Sequence, residues 1–173
     1  VGAPRSGTTF LASMLNAHPQ ITLTVEGRLF ALLKQLIEVD CARPDLLDVA
    51  HRDRFVAFLK QNAGDLIERY YREALGVDTV IWGDKHPSYG DPALLSGRQG
   101  SQPCQPVSGS ALRLINEVLP TSKFIHIHRA PEQVAYSLHS RGWVSSMADG
   151  VAVRQQYVDE IEEFFTQVDD SRR

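Results

Sequence analysis

The sequence predicts an α/β fold in three layers, with a mainly parallel central sheet flanked by helices. Three observations predict it. Short apolar segments, Val77 to Trp82 and Lys123 to His128, alternate with stretches of helical periodicity, as strands do when helices join them. A glycine-rich turn at Gly2 to Gly7 stands between an extended segment and an amphipathic helix. Arg129 closes a strand and Pro131 opens a helix, at a position where the missing N–H costs nothing.

In chain order, Val1 to Ala3 reads as the end of a strand, and Phe10, Leu11, Met14 and Leu15 mark a helix from Thr8 to Asn16. His18-Pro19 ends it, because the residue before proline avoids helical angles. Ile21 to Val25 alternates with threonine and reads as extended. Leu29 to Ile37 forms a second amphipathic helix, and Pro44 opens a long third one. That helix carries Phe55, Phe58, Leu59, Leu66 and Ile67 as its stripe, and Gly64 is a candidate break. Val77 to Trp82 leads, as a buried strand, into a loop at Gly83-Asp84-Lys85-His86-Pro87. Gly90 to Ser110, rich in glycine, proline, serine and glutamine, reads as a long loop. Leu112 to Leu119 is a short helix, Lys123 to His128 a strand, Pro131 to about Arg141 a helix, and Val153 to Val168 the last helix.

Composition narrows the function. The chain has 173 residues, 43% apolar and 23% charged, which suits one domain spanning 1–173 with a real core. It begins almost directly on the glycine-rich turn, so the domain is expected to be clipped at its start. The net charge of −3 removes support for a general nucleic-acid role. Cys41 and Cys104 lack metal-ligand spacing and read as reduced thiols. No apolar run approaches the ~20 residues of a membrane span. Localisation stays open, leaning cytoplasmic, and a homodimer is compatible with the sequence.

Gly2-Ala-Pro-Arg-Ser-Gly7-Thr8-Thr9 has the glycine spacing of a P-loop, G-x-x-x-x-G-K-[ST], with Thr8 in place of the lysine. Such a turn aims backbone N–H groups and the positive end of a helix at one point, which favours an anion. Gly7 permits close approach, Ser6, Thr8 and Thr9 bring hydroxyls, and Arg5 brings a fork suited to phosphate or sulfate. The absent lysine argues against a nucleoside triphosphatase.

Pro-Arg-Ser-Gly-Thr-Thr, followed by Leu15-Asn-Ala-His18-Pro19, resembles the 5'-phosphosulfate loop of sulfotransferases that use 3'-phosphoadenosine-5'-phosphosulfate (PAPS). Lys123-Phe-Ile-His-Ile-His-Arg129, with Ser137 eight residues on, resembles the 3'-phosphate signature of the same family. Glu26-Gly-Arg28 is similar to the catalytic segment of protein-tyrosine sulfotransferases, and Gly83 to Pro87 looks like the family's lysine loop. Ala130 departs from the aspartate or asparagine common there. The segment that usually completes the nucleotide site at the C-terminal side is expected to be missing, so the domain is expected to be truncated at both ends.

The resemblance implies a P-loop-like fold, PAPS as sulfuryl donor, no metal, and an acceptor hydroxyl or amine of unspecified class. It implies cofactor contacts from Arg5, Ser6, Gly7, Thr8, Thr9, Arg129 and Ser137. In the catalytic group, Glu26 is the expected base with Arg28 beside it, Lys85 steadies the departing charge, and His86 is the rival base. His86 follows the lysine directly, whereas cytosolic sulfotransferases place the histidine two residues on. Trp82, Tyr89 and Trp143 are candidates for an acceptor pocket or for the core. His126 and His128 share one face of a strand and read as structural. A P-loop-type kinase, a non-catalytic PAPS-binding module and a purely structural α/β domain are the alternatives.

Overall fold

The computed structural model describes residues 1–40, 48–94 and 109–173. Cys41, Pro44, Cys104 and most of the Gly90–Ser110 loop lie outside the described residues.

The chain starts with the glycine-rich turn and enters helix α1 (Thr8–Leu15) through Gly7, whose φ of 100° is a left-handed conformation that favours glycine. Asn16 ends α1 and does a second job. Its side-chain nitrogen donates to the Leu23 carbonyl at 2.9 Å, and its oxygen accepts from the Leu23 N–H at 2.6 Å. This two-way contact satisfies backbone groups of strand β1 (Ile21–Val25) that would otherwise stand open.

On its other side β1 pairs in parallel with β2 (Ile81–Lys85), with Ile21 opposite Ile81 and Val25 opposite Lys85. The strand expected at 77–82 is therefore displaced toward the C-terminus. Arg72 explains the displacement, since its Nη1 donates to the carbonyls of Val77 at 3.1 Å and Thr79 at 2.6 Å. Those carbonyls are committed to the preceding helix end. Asp84 and Lys85, expected in a loop, instead close a strand in register with β1.

Among the described residues the sheet has these two strands, narrower than the sequence predicts. Residues 123–128, expected as a strand, do not join this sheet. Ile127 N–H donates to the Val1 carbonyl at 3.0 Å and the Val1 amine donates to Ile125, which is a parallel-ladder pattern one residue long on the Val1 side.

Helices cover this frame: α2 (Leu29–Gln35), α3 (Val49–Arg69), α4 (Leu112–Val118), α5 (Pro131–His139) and α6 (Met147–Thr166). Helix α3 runs unbroken through Gly64. That glycine marks contact rather than a break, because a Cβ there would run into the Val118 carbonyl at the end of α4. The buried face of α3 holds Ala63 and Ile67, while Phe58 and Leu66 are exposed. Helix α6 starts before the expected Val153, because the Ser146 hydroxyl accepts from the Asp149 N–H at 3.1 Å and caps it. Gly150 lets α6 press on α5, where a Cβ would lie 2.7 Å from the Ala135 Cα. Tyr71, Leu112, Ile161 and Phe164 fill the centre of the core.

Candidate active site

The glycine-rich turn is built by close backbone approach. A Cβ at Gly2 would sit 2.8 Å from the Ile127 carbonyl, so the turn is pressed against the extended stretch before Arg129. Ser6 is buried and spends its hydroxyl proton on the Ala3 carbonyl at 2.6 Å, which tightens the turn. Thr8 is buried and Thr9 exposed at the helix start. No side chain caps α1, so its first N–H groups are left for another acceptor.

The segment expected to hold the 3'-phosphate folds onto this turn. Arg5 Nε donates to the Ser137 hydroxyl at 3.0 Å, and Arg129 Nη1 donates to the Arg5 carbonyl at 3.0 Å. Ser137 stands on α5, whose start at Ala130 has no side-chain cap. Arg5, Arg129 and Ser137 thus converge from three parts of the sequence. Arg5 and Arg129 make no ion pair among the described contacts, so their charge is unspent.

The catalytic candidates gather at the C-terminal ends of β1 and β2, where ligands bind in open parallel sheets. Glu26 N–H donates to the Lys85 carbonyl at 2.8 Å, continuing the ladder one residue past Val25. The Lys85 ammonium then meets Glu26 Oε1 at 3.3 Å. Lys85 is 8% exposed and Glu26 56%, so a buried cation holds an accessible carboxylate.

Glu26 and Arg28 do not lie in an extended segment as expected. Glu26 has φ 63° and Arg28 φ 56°, so the chain makes a tight left-handed turn around Gly27. Among the described residues, Arg5, Glu26 and Arg28 are the non-glycine residues with positive φ. Such conformations cost on the order of 1–3 kcal/mol each and cluster at functional sites. Arg28 is exposed and does not pair with Glu26.

His86 follows Lys85 at the start of a short 3-10 turn, Pro87–Gly90. Its Nδ1 accepts from the Ser88 N–H at 3.2 Å and lies 2.6 Å from the Ser88 hydroxyl. That pattern assigns the proton to Nε2, which is buried with no partner. Burial lowers the His86 pKa, so the ring is neutral and offers a donor rather than a lone pair on its free side.

Sequence reasoning missed the polar group beneath this turn. Asp84 accepts from the Thr24 hydroxyl at 2.8 Å and from the Tyr89 hydroxyl at 2.6 Å. Tyr89 is buried in the core, and burial drives its hydroxyl pKa far upward. Trp82 stacks on Tyr71 at 4.2 Å, while Trp143 is exposed. The His126 and His128 rings lie 3.8 Å apart, and His126 is pushed down to about 4, first by burial and then by His128. Among the described residues no cluster of metal-ligating side chains occurs and no helix is long and apolar enough to cross a membrane.

No curated protein and no solved structure matches the chain. A family model described as "Sulfotransferase family" matches residues 1–172, essentially the whole chain. With that match over a site of this geometry, the chain belongs to the sulfotransferase family.

Proposed function

We propose that this chain is a PAPS-dependent sulfotransferase acting on a hydroxyl or amine acceptor by in-line displacement, within a P-loop-like frame formed by residues 1–173 as one domain. The observation that carries the reading is the Arg5–Ser137–Arg129 cluster. A P-loop-type kinase needs a lysine in the turn, and Thr8 stands there. A guanidinium and a hydroxyl added beside the turn instead suit a second phosphate, the group that distinguishes PAPS from ATP.

The donor fits the residues present. The uncapped α1 N-terminus, Gly7 and Thr9 suit its 5'-phosphosulfate, with Thr8 and Ser6 shaping the turn behind them. Arg129 and Ser137 suit the 3'-phosphate. In the reaction an acceptor oxygen or nitrogen forms a bond to sulfur as the bond from sulfur to the bridging oxygen breaks. The acceptor proton passes to Glu26, and 3',5'-ADP leaves. Lys85, buried beside Glu26, offsets negative charge on the bridging oxygen. Arg28, exposed next to the base, steers or orients the acceptor. His86, with its lone pair engaged by Ser88, does not serve as base.

Incubation with labelled PAPS and a panel holding a tyrosyl peptide, an oligosaccharide, a phenol and an amine tests this reading. Label transfer to at least one acceptor, persisting under exhaustive chelation, is expected. Donor binding without transfer to any acceptor supports the non-catalytic binding module.

A further inference from the structure

The base and the buried cation can cooperate only if the Glu26–Arg28 turn keeps its unfavourable backbone. Something must hold it. The pairing of Glu26 N–H with the Lys85 carbonyl fixes one end. The rest of the turn is exposed, and no side chain of α2 caps its own start at Arg28.

Three further bonds converge from below. The Thr24 hydroxyl, directly before the end of β1, donates to Asp84 Oδ1 at 2.8 Å. The Gly27 N–H, inside the turn, reaches the same oxygen at 3.4 Å. The Tyr89 hydroxyl donates to Asp84 Oδ2 at 2.6 Å, and the Tyr89 ring packs edge-to-face on Phe30, just beyond the turn, with centroids 5.4 Å apart. Residues before and within the strained turn are therefore tied to one carboxylate, and the residue after it packs on the tyrosine that bonds that carboxylate. The β1–β2 register makes this feasible, since Thr24 lies opposite Asp84. Gly27 completes the fit, because even a Cβ there would come within 3.3 Å of Asp84 Oδ2.

We propose that Asp84 is the positioning residue of this site, its carboxylate holding the Glu26–Arg28 turn in the left-handed backbone that presents Glu26 to Lys85. An ionised carboxylate suits the task because it accepts at both oxygens and donates at neither. Its bonds are charge-assisted and so stronger than neutral ones. An amide would offer one accepting oxygen and face Tyr89 with a second donor. The proposal rests on the sulfotransferase reading for its kinetic consequence, but its structural content stands apart from that reading.

The experiment compares the full chain with Asp84→Ala, Asp84→Asn, Thr24→Val and Tyr89→Phe. Labelled PAPS with the acceptor panel gives kcat and the donor KM, 3',5'-ADP gives a thermal shift, and amide hydrogen exchange reports on residues 26–30. Asp84→Ala is expected to lower kcat about a hundredfold, the scale of a small misplacement of reacting groups. Donor KM and the 3',5'-ADP shift should stay at wild-type values, and exchange at 26–30 should rise. Asp84→Asn should recover part of kcat, and Thr24→Val and Tyr89→Phe should give intermediate losses. Wild-type kcat in an active Asp84→Ala protein overturns the proposal, as does a loss of kcat and of the 3',5'-ADP shift together. Should Asp84→Ala fail to fold, unchanged kcat in both Thr24→Val and Tyr89→Phe overturns it. If the wild type transfers no label, the function reading fails, and the exchange rates decide the proposal alone: unchanged exchange at 26–30 overturns it.

Discussion

The Arg5 guanidinium donates to the Ser137 hydroxyl at 3.0 Å across most of the length of the chain. The glycine-rich turn and the last turn of α5 thereby become one surface, and Arg129 joins it by bonding the Arg5 carbonyl. Ser137→Ala should remove a neutral contact and Arg5→Ala a charged one. Calorimetry with 3',5'-ADP should show the larger loss for Arg5→Ala, about 1.5–3 kcal/mol against roughly 1 for Ser137→Ala. Equal affinities for the wild type and both variants would separate this cluster from nucleotide binding.

Arg28 offers a test of strain. Its φ of 56° disfavours any side chain, and its guanidinium is exposed. Arg28→Gly should raise stability in urea by about 1 kcal/mol by relieving the backbone. The same variant should turn over more slowly if Arg28 orients the acceptor. A variant both less stable and fully active would refute the assignment on both counts.

Glu26→Gln should reduce turnover by about two to four orders of magnitude, the usual reach of a general base, with 3',5'-ADP binding nearly intact. His86→Ala should cost far less, because Ser88 occupies the nitrogen a base would need. Steady-state kinetics of the two variants side by side settles the order. The reverse ranking would make His86 the base.

His126 carries a pH dependence. Its folded pKa of about 4 lies below the ordinary histidine value near 6.5. Between those values the unfolded chain binds more protons, so stability rises with pH through the window. The contribution is complete above about 6.5 and is lost as pH falls toward 4. His126→Phe should flatten this limb relative to wild type in urea titrations across that range. It should also gain roughly 1 kcal/mol at neutral pH by removing the unpartnered Nε2. Parallel curves would show that His126 is not the group responsible.

Much of the helix order was legible because apolar spacing, Pro131 and the His18-Pro19 stop act locally. Ser146 with Asp149 three residues on is also a local capping signal, and it was available for placing the start of α6. The β2 register was not legible, since it depends on Arg72 reaching two carbonyls beyond its own helix. Asp84 followed the same fate: a residue read as loop gains its role only once Thr24 stands opposite it. The two motifs proposed to hold phosphate were legible as sequence patterns, but their convergence through Arg5 and Ser137 was not. Gly64 shows the same limit. Read as a break, it is a contact, and Gly64→Ala should destabilise by about 1–3 kcal/mol in thermal melts instead of strengthening the helix.

The central claim is that Arg129 and Ser137 read a 3'-phosphate beside the glycine-rich turn. The most direct measurement is the thermal shift produced by 3',5'-ADP, 5'-AMP and ATP on the wild type and on Arg129→Ala. A shift several times larger with 3',5'-ADP than with 5'-AMP or ATP, abolished in Arg129→Ala, is the predicted result. Equal shifts with ATP and 3',5'-ADP, or a preference that survives in Arg129→Ala, would contradict it.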